Sequence, residues 1–316
     1  MQTITLGRTG LNVTVAGLGT GGFSRIGFFS HGTEHAAAIV RNAFDEGVNF
    51  FDSSPIYGTE SAVGAGLEGI SRDKYVISSK FPYKDYGDKN GSLKSAEELM
   101  AALENSLRLM RTDHIDIYHL HAVSPGDYDI ACDRYIPTLQ KAQQQGKIRF
   151  AGISEIFDVD NSHEALQMAL KDDFFDVMMI GYNLLNPSAA KTILPAASAK
   201  GIGTLCMFAV RNALSNPEYL KKTILQILDC NQADKGLLSP DEGLSFLLTE
   251  GGAKSIAEAA YRFCRHTAGM DVVLTGTGNL AHLKENLASI QMPPLPKSVT
   301  DKLQSMFGNV DCVSGQ

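Results

Sequence analysis

Short runs rich in β-branched and aromatic residues alternate with longer helical patterns along almost the whole chain. This alternation constrains the fold more than any other feature. The runs cover residues 15–18, 49–52, 75–79, 115–118, 148–153, 177–180, 203–208 and 272–274. Most are continuous apolar stretches, as expected of parallel strands covered on the outside by helices. Helical patterns such as 34–46, 95–110 and 188–200 lie between them, and Gly47, Gly146 and Gly201 stand where glycines cap helix C-termini. These βα units predict a closed (β/α)8 barrel, the TIM-barrel class, rather than a doubly wound sheet. The glycines at 17, 19, 21 and 22 lack the G-x-G-x-x-G spacing of an open dinucleotide-binding sheet.

Two segments, 4–7 and 13–15, flank a turn and read as a hairpin closing the bottom of the barrel. The connection 211–253 reads as long and irregular, and a last helix is expected over 298–307. With no break in composition, residues 1–316 form a single domain with that hairpin and a C-terminal helical extension. A net charge of −7 and scattered Lys and Arg argue against a nucleic-acid partner. The N-terminus lacks a signal-peptide pattern and no apolar stretch reaches the ~20 residues of a membrane span, so a cytoplasmic protein is expected. Five widely spaced cysteines without a C-x-x-C pair read as reduced thiols.

Active sites of such barrels form at the C-terminal ends of the strands. Asp52, Lys80 and His121 close the second, third and fourth strands, Ser154 and Glu155 close the fifth, and Tyr57 follows Asp52 by one turn. Singly, each has an ordinary structural reading: a cap, a rim lysine, a packed tyrosine, a core histidine. Together they put an acid, an ammonium, an imidazole and a phenol on one rim.

The segment Gly47–Gly58, containing Asn49-Phe50-Phe51-Asp52 and Pro55-Ile56-Tyr57-Gly58, resembles the aldo-keto reductase segment that carries the family's catalytic Asp and Tyr. Ile77-Ser78-Ser79-Lys80, Asp116–His121, Gly146–Ser154 and Gly276–Asn286 are similar to its lysine strand, histidine strand, fifth strand and cofactor segment. Residues 136–141 and the His121-Ala122-Val123 ending resemble the L-galactose dehydrogenase-like sugar dehydrogenases within that family.

The resemblance implies an NAD(P)-dependent oxidoreductase moving a hydride between nicotinamide and a small-molecule carbonyl, alcohol or sugar. Tyr57 would be the proton donor, Lys80 would lower its pKa, Asp52 would hold Lys80, and His121 would orient the substrate oxygen. Gly21, Ser154, Glu155, Met207, Gly276, Thr277, Gly278, Glu285 and Asn286 fall at cofactor-binding positions.

Departures from the family pattern concentrate there. Glu155 replaces an Asn that holds the nicotinamide amide, Met179 a Gln, and Met207 the stacking aromatic. Gly276 and Gly278 stand where NADP-preferring members place Lys or Arg, so NAD is favoured over NADP. His282 is the nearest potential cation, and Arg262 or Arg265 could reach in from the preceding helix. Phe23, Phe28, Phe29, Phe81, Tyr83 and Tyr86 are candidates to line a substrate pocket.

Three other classes compete with this reading. A redox-silent barrel with a binding or regulatory role would explain the rewritten cradle. A metal-dependent hydrolase could use His119 and His121, although no metal site is expected. A glycosidase could pair Asp52 with Glu155 but leaves Lys80 and Tyr57 without a role.

Overall fold

The computed structural model describes residues 1–85, 91–233, 236–240 and 243–316, so the expectation for Tyr86 lies outside the described residues. Strands β1 (Thr3–Thr5) and β2 (Asn12–Thr14) pair antiparallel. Eight more follow: β3 (Ala16–Gly19), β4 (Phe50–Asp52), β5 (Val76–Phe81), β6 (Ile115–Val123), β7 (Ile148–Glu155), β8 (Val177–Gly181), β9 (Gly203–Met207) and β10 (Val272–Thr275). They pair parallel in chain order, and β10 meets both β9 and β3, which closes the expected barrel.

Side chains along a strand alternate between the barrel interior and the helix layer. From the hairpin, Leu6, Leu11 and Val13 join Phe50, Val76, Ile117 and Val272 in one buried cluster, so the hairpin does plug the floor. Outward residues such as Phe51, Ile77 and Tyr118 pack with Ala36, Val40 and Leu103 of the surrounding helices. Two glycines make room inside for rings from neighbouring elements. A Cβ on Gly152 would stand 2.3 Å from the His119 ring, and one on Gly181 would stand 2.1 Å from the Phe157 ring.

Helix Ala96–Met110 starts at Ser95, which accepts from the Glu98 amide while the Glu98 carboxylate accepts from the Ser95 amide. The single helix expected over 188–200 is instead two, Ala189–Thr192 and Leu194–Ala199. Pro195 has no amide proton to continue the first, so the chain restarts there. The connection read as irregular carries the helix Pro217–Asp229, capped by Asn216 and packed through Ile224 and Ile227 against Leu303 and Phe307 of the last helix, Lys297–Phe307.

At the end of that inserted helix Cys230 is joined to Cys312 by a disulfide, which corrects the expectation of five reduced thiols; Cys132, Cys206 and Cys264 are free and buried. The pairing spans 82 residues, a proximity created by the fold and invisible in sequence spacing. Among the described residues no helix is long and apolar enough to cross a membrane.

Candidate active site

Asp52, the last residue of β4, and Lys80 of β5 point into the barrel and are almost completely buried. Lys80 Nζ donates to Asp52 Oδ1 at 2.7 Å, to Oδ2 at 2.6 Å and to the Ser53 carbonyl at 2.7 Å. Burial is the largest influence and works against the ammonium, yet Asp52 and Tyr57 together outweigh it and the Lys80 pKa is raised. Burial pushes the Asp52 carboxyl upward, opposed by Lys80 and by the Ser78 hydroxyl, which donates at 2.8 Å. A charged, fully hydrogen-bonded pair fits this geometry, because three acceptors meet the three ammonium protons.

Tyr57 ends a short 3-10 turn, Pro55–Tyr57, and its hydroxyl lies 3.3 Å from His121 Nε2. Lys80 Nζ is 5.0 Å from the Tyr57 ring centroid. The sequence expectation that Lys80 lowers the Tyr57 pKa is only half met. Burial is the largest influence and raises it, while Lys80 opposes. The phenol is therefore held protonated at neutral pH, as an acid must be. The backbone of Gly21 approaches so closely that a Cβ there would lie 2.5 Å from the Tyr57 ring, which accounts for glycine at that position.

His121 sits on a bulge. The β6–β7 register runs from Leu120 opposite Ile153 to Val123 opposite Glu155, so His121 and Ala122 share the place facing Ser154. Ala122 takes a positive φ of 55°, and its amide donates to Ser154 Oγ at 2.8 Å. Ser54 Oγ lies 3.2 Å from His121 Nδ1. Burial, then Lys80, depress the His121 pKa well below the ordinary histidine range. A neutral ring that accepts from Ser54 at Nδ1 carries its proton on Nε2, facing the phenol. The structure thus gathers Asp52, Tyr57, Lys80 and His121, and it adds Ser54, Ser78 and Ser154 as their supports.

The candidate cofactor residues do not all converge in this way. Glu155 is turned into the protein, accepting from the Gly181 amide at 2.7 Å and lying 2.9 Å from His163 Nδ1. His163 Nε2 is 2.9 Å from Ser188 Oγ, and all three side chains are buried. The Ser154 hydroxyl accepts the Ala122 amide at the bulge. Met179 is buried and Met207 half-buried.

Gly276 and Gly278 serve close packing, since Cβ atoms there would stand 2.1 Å from the Gly19 carbonyl and 2.6 Å from the Gly27 amide. Thr277 accepts from the Asn279 amide, Asn286 donates to Thr275, and Glu285 is exposed. Arg262 and Arg265 do not reach the rim. The first pairs with Glu258 and donates to the Pro293 and Pro294 carbonyls, and the second donates to Gln2 beside the hairpin.

A cleft of about 620 Å³ opens beside Tyr57, between Gly21–Phe29 after β3 and Phe208–Ser215 after β9. Its polar groups include Arg25, Arg211, Asn212 and Ser215, and no acidic side chain lines it. That donor set fits a dinucleotide diphosphate, with Arg25, Asn212 and Ser215 to hold it, while Arg211 is held by Asp158 at 2.6 and 3.1 Å. Phe23 and Phe29 line the cleft, whereas Phe81 and Tyr83 are buried core. Among the described residues no cluster of His, Cys, Asp and Glu could hold a metal ion.

Residues 17–307 match the Aldo/keto reductase family. L-galactose dehydrogenase from Arabidopsis thaliana is 27% identical over 291 residues, covering 90% of this chain and 86% of that protein. D-threo-aldose 1-dehydrogenase from a Pseudomonas species is 25% identical, covering 65% of this chain and 68% of its own. Among solved structures, the holo form of aldo-keto reductase AKR11C1 from Bacillus halodurans superposes with a TM-score of 0.73, at 22% identity and over 96% of this chain and 95% of that one. With the barrel, the gathered tetrad and a match spanning nearly its whole length, the chain is a member of the aldo/keto reductase family and an NAD(P)-dependent oxidoreductase.

Proposed function

We propose that this enzyme interconverts a sugar-like hydroxy carbonyl compound and its oxidised or reduced partner, using NAD(H), with Tyr57 as the proton-transfer group. The observation that carries the reading is the convergence of Tyr57, His121 and the Lys80–Asp52 pair at one end of the barrel. When bound, a nicotinamide dinucleotide supplies the hydride. In the reducing direction Tyr57 gives its proton to the carbonyl oxygen as negative charge builds there. His121 Nε2–H donates to the same oxygen and fixes its position. Lys80, held charged by Asp52, stabilises the phenolate left behind until it regains a proton. The same groups run the steps backwards in oxidation.

The preference for NAD rests on what is missing near the loop after β10. A 2′-phosphate brings close to two negative charges, and burying them without a cation is costly. Arg262 and Arg265 are committed elsewhere, and Lys284 pairs with Glu46 at 3.2 Å. Two histidines stand by that loop: His282, exposed on the first turn of the helix Leu280–Gln291, and His35, whose Nε2 lies 2.7 Å from the Gly278 carbonyl. Titration of NADH and NADPH at pH 6 and pH 8 tests this. NADH should bind at least as tightly at both, and a clear NADPH preference at pH 8 would overturn the assignment.

The relatives named for L-galactose and D-threo-aldose make sugars the first substrates to try. Turnover of an aldose panel with NAD+ tests that arm.

A further inference from the structure

We propose that Ser78 and His119 are positioning residues behind the catalytic pair, a hydrogen-bonded chain that decides how much of the Lys80 charge reaches the Tyr57 phenol. This rests on the reading of Tyr57 as the proton-transfer group.

Among the described residues no metal cluster claims His119, the first histidine of His119-Leu120-His121 on β6. It is fully buried, and its Nε2 lies 3.1 Å from Ser78 Oγ. Ser78 Oγ in turn donates to Asp52 Oδ1 at 2.8 Å. A hydroxyl has one proton to give. Asp52, charged against Lys80, takes it, so Ser78 can only accept from the histidine. His119 therefore carries its proton on Nε2. Its Nδ1 has no hydrogen-bond partner, so a proton there would be buried unpaired. The chain runs from His119 Nε2–H to Ser78 Oγ–H to Asp52 Oδ1. Both donors are aimed at the carboxylate, and bonds in series strengthen one another.

Asp52 has two tasks that conflict. It holds the Lys80 ammonium, and its own charge cancels part of the field that the ammonium exerts on Tyr57. Lys80 Nζ stands 5.0 Å from the centroid of the Tyr57 ring, and the Arg25 guanidinium carbon 4.7 Å. Those two cations favour the phenolate, and Asp52 opposes it. His121 faces the hydroxyl at 3.3 Å and is held neutral by burial and by Lys80. A chain of donors on Asp52 spreads its negative charge along Ser78 and His119 and leaves more of the Lys80 field to the phenol. Packing gives no reason for this polarity, since Phe50, Ile117 and Val177 line the barrel interior with apolar groups. A hydroxyl and an imidazole buried there are costly unless they bond to each other and to Asp52.

The test places 3,5-difluorotyrosine at position 57 of the whole protein, a phenol that loses its proton at lower pH than tyrosine and carries the only fluorine. Its 19F NMR signal is titrated with pH. Ser78→Ala should raise the midpoint by about half a unit to one unit, because a hydrogen bond to a charged group is worth about one to two units at that group and only part is felt by its neighbour. His119→Leu should raise it by less. His119→Gln, which keeps an N–H donor, should restore most of the unmodified value. Ser78→Ala combined with His119→Leu should go no further than Ser78→Ala alone, because both break one chain. An unchanged or lowered midpoint in Ser78→Ala overturns the proposal, as do two shifts that simply add. If the alanine variant does not fold, Ser78→Cys, a weaker donor, must raise the midpoint instead. In 15N-histidine spectra of the unmodified protein, His119 should show a protonated Nε2 and a bare Nδ1, and the opposite tautomer overturns the chain. None of these readings needs a substrate. Near-normal turnover in Tyr57→Phe would remove the role given to Tyr57, and the shift of the phenol would still be read by itself.

Discussion

Lys80 Nζ lies 2.6 and 2.7 Å from the two Asp52 carboxylate oxygens, and the side chains of both residues are shut off from solvent. Removing one partner strands the other as an unpaired buried charge, which typically costs 3–5 kcal/mol. Lys80→Met should therefore lower stability by about that amount and abolish turnover together. Replacing both residues, Asp52→Leu with Lys80→Met, should recover much of the stability and none of the activity. Urea unfolding alongside a turnover assay separates the two effects.

Tyr57→Phe removes one hydroxyl whose described hydrogen bond is to His121 Nε2. The melting temperature and NADH affinity should stay close to those of the unmodified protein. Turnover should fall by ~10²–10⁴, the usual contribution of a general acid. Near-normal kcat in this variant would reassign the proton donor.

The bulge makes a prediction about Ser154. Its hydroxyl accepts the amide of Ala122, the residue that turns His121 into the site. Ser154→Ala leaves that buried N–H without a partner, at a cost of about 1–3 kcal/mol. A loosened His121 should lower kcat while cofactor affinity is kept, and Ser154→Thr, which keeps the acceptor, should restore most of the rate. Stopped-flow rates and fluorescence titration of NADH read the two quantities apart.

His119 gives stability a pH dependence of known sign. Burial first, and Lys80 second, lower its pKa from 6.5 to about 3. Below the unfolded value the unfolded chain takes up a proton that the native state refuses, so its contribution is present above pH 6.5 and lost as pH falls toward 3. The slope is about 1.4 kcal/mol per pH unit within that window. Glu60 works the other way, because burial raises its pKa and the native state keeps its proton longer. The measurement is therefore a difference: unfolding free energy from pH 7.5 to 5 should fall less steeply in His119→Gln than in the unmodified protein. Parallel slopes would contradict the assignment.

How much of this was legible beforehand depends on the range of the signal. The strands are apolar runs of local origin, and each appears within two residues of its expected place, except that β6 continues beyond Tyr118 to Val123. The tetrad could be read because barrel geometry sends strand ends to one rim. Ser78 was within reach too, since it lies two residues before Lys80 and so shares its inward face.

The helix Pro217–Asp229 has a local signal in Asn216-Pro217-Glu218, an N-cap followed by proline, but the irregular composition around it masks that signal. Other features had no local signal. The Glu155–His163–Ser188 chain and the Cys230–Cys312 bond each depend on contacts between parts of the chain far apart in sequence. Glu155 shows the limit well: a carboxylate at a cofactor position looks like a change of ligand chemistry until its partners are seen.

The glycine slots of the barrel also bear on how such an enzyme can change over generations. His119 fills the space above Gly152, so any side chain at 152 collides with a ring whose replacement by itself leaves a hole. The two positions can be altered together far more easily than one after the other, and a lineage must pass through a less stable intermediate to alter both. Phe157 and Gly181 are bound in the same way on the next pair of elements. The lining just beneath the reaction centre is thus historically sticky, and new specificities should arise by substitutions in the rim loops, where each step stands alone.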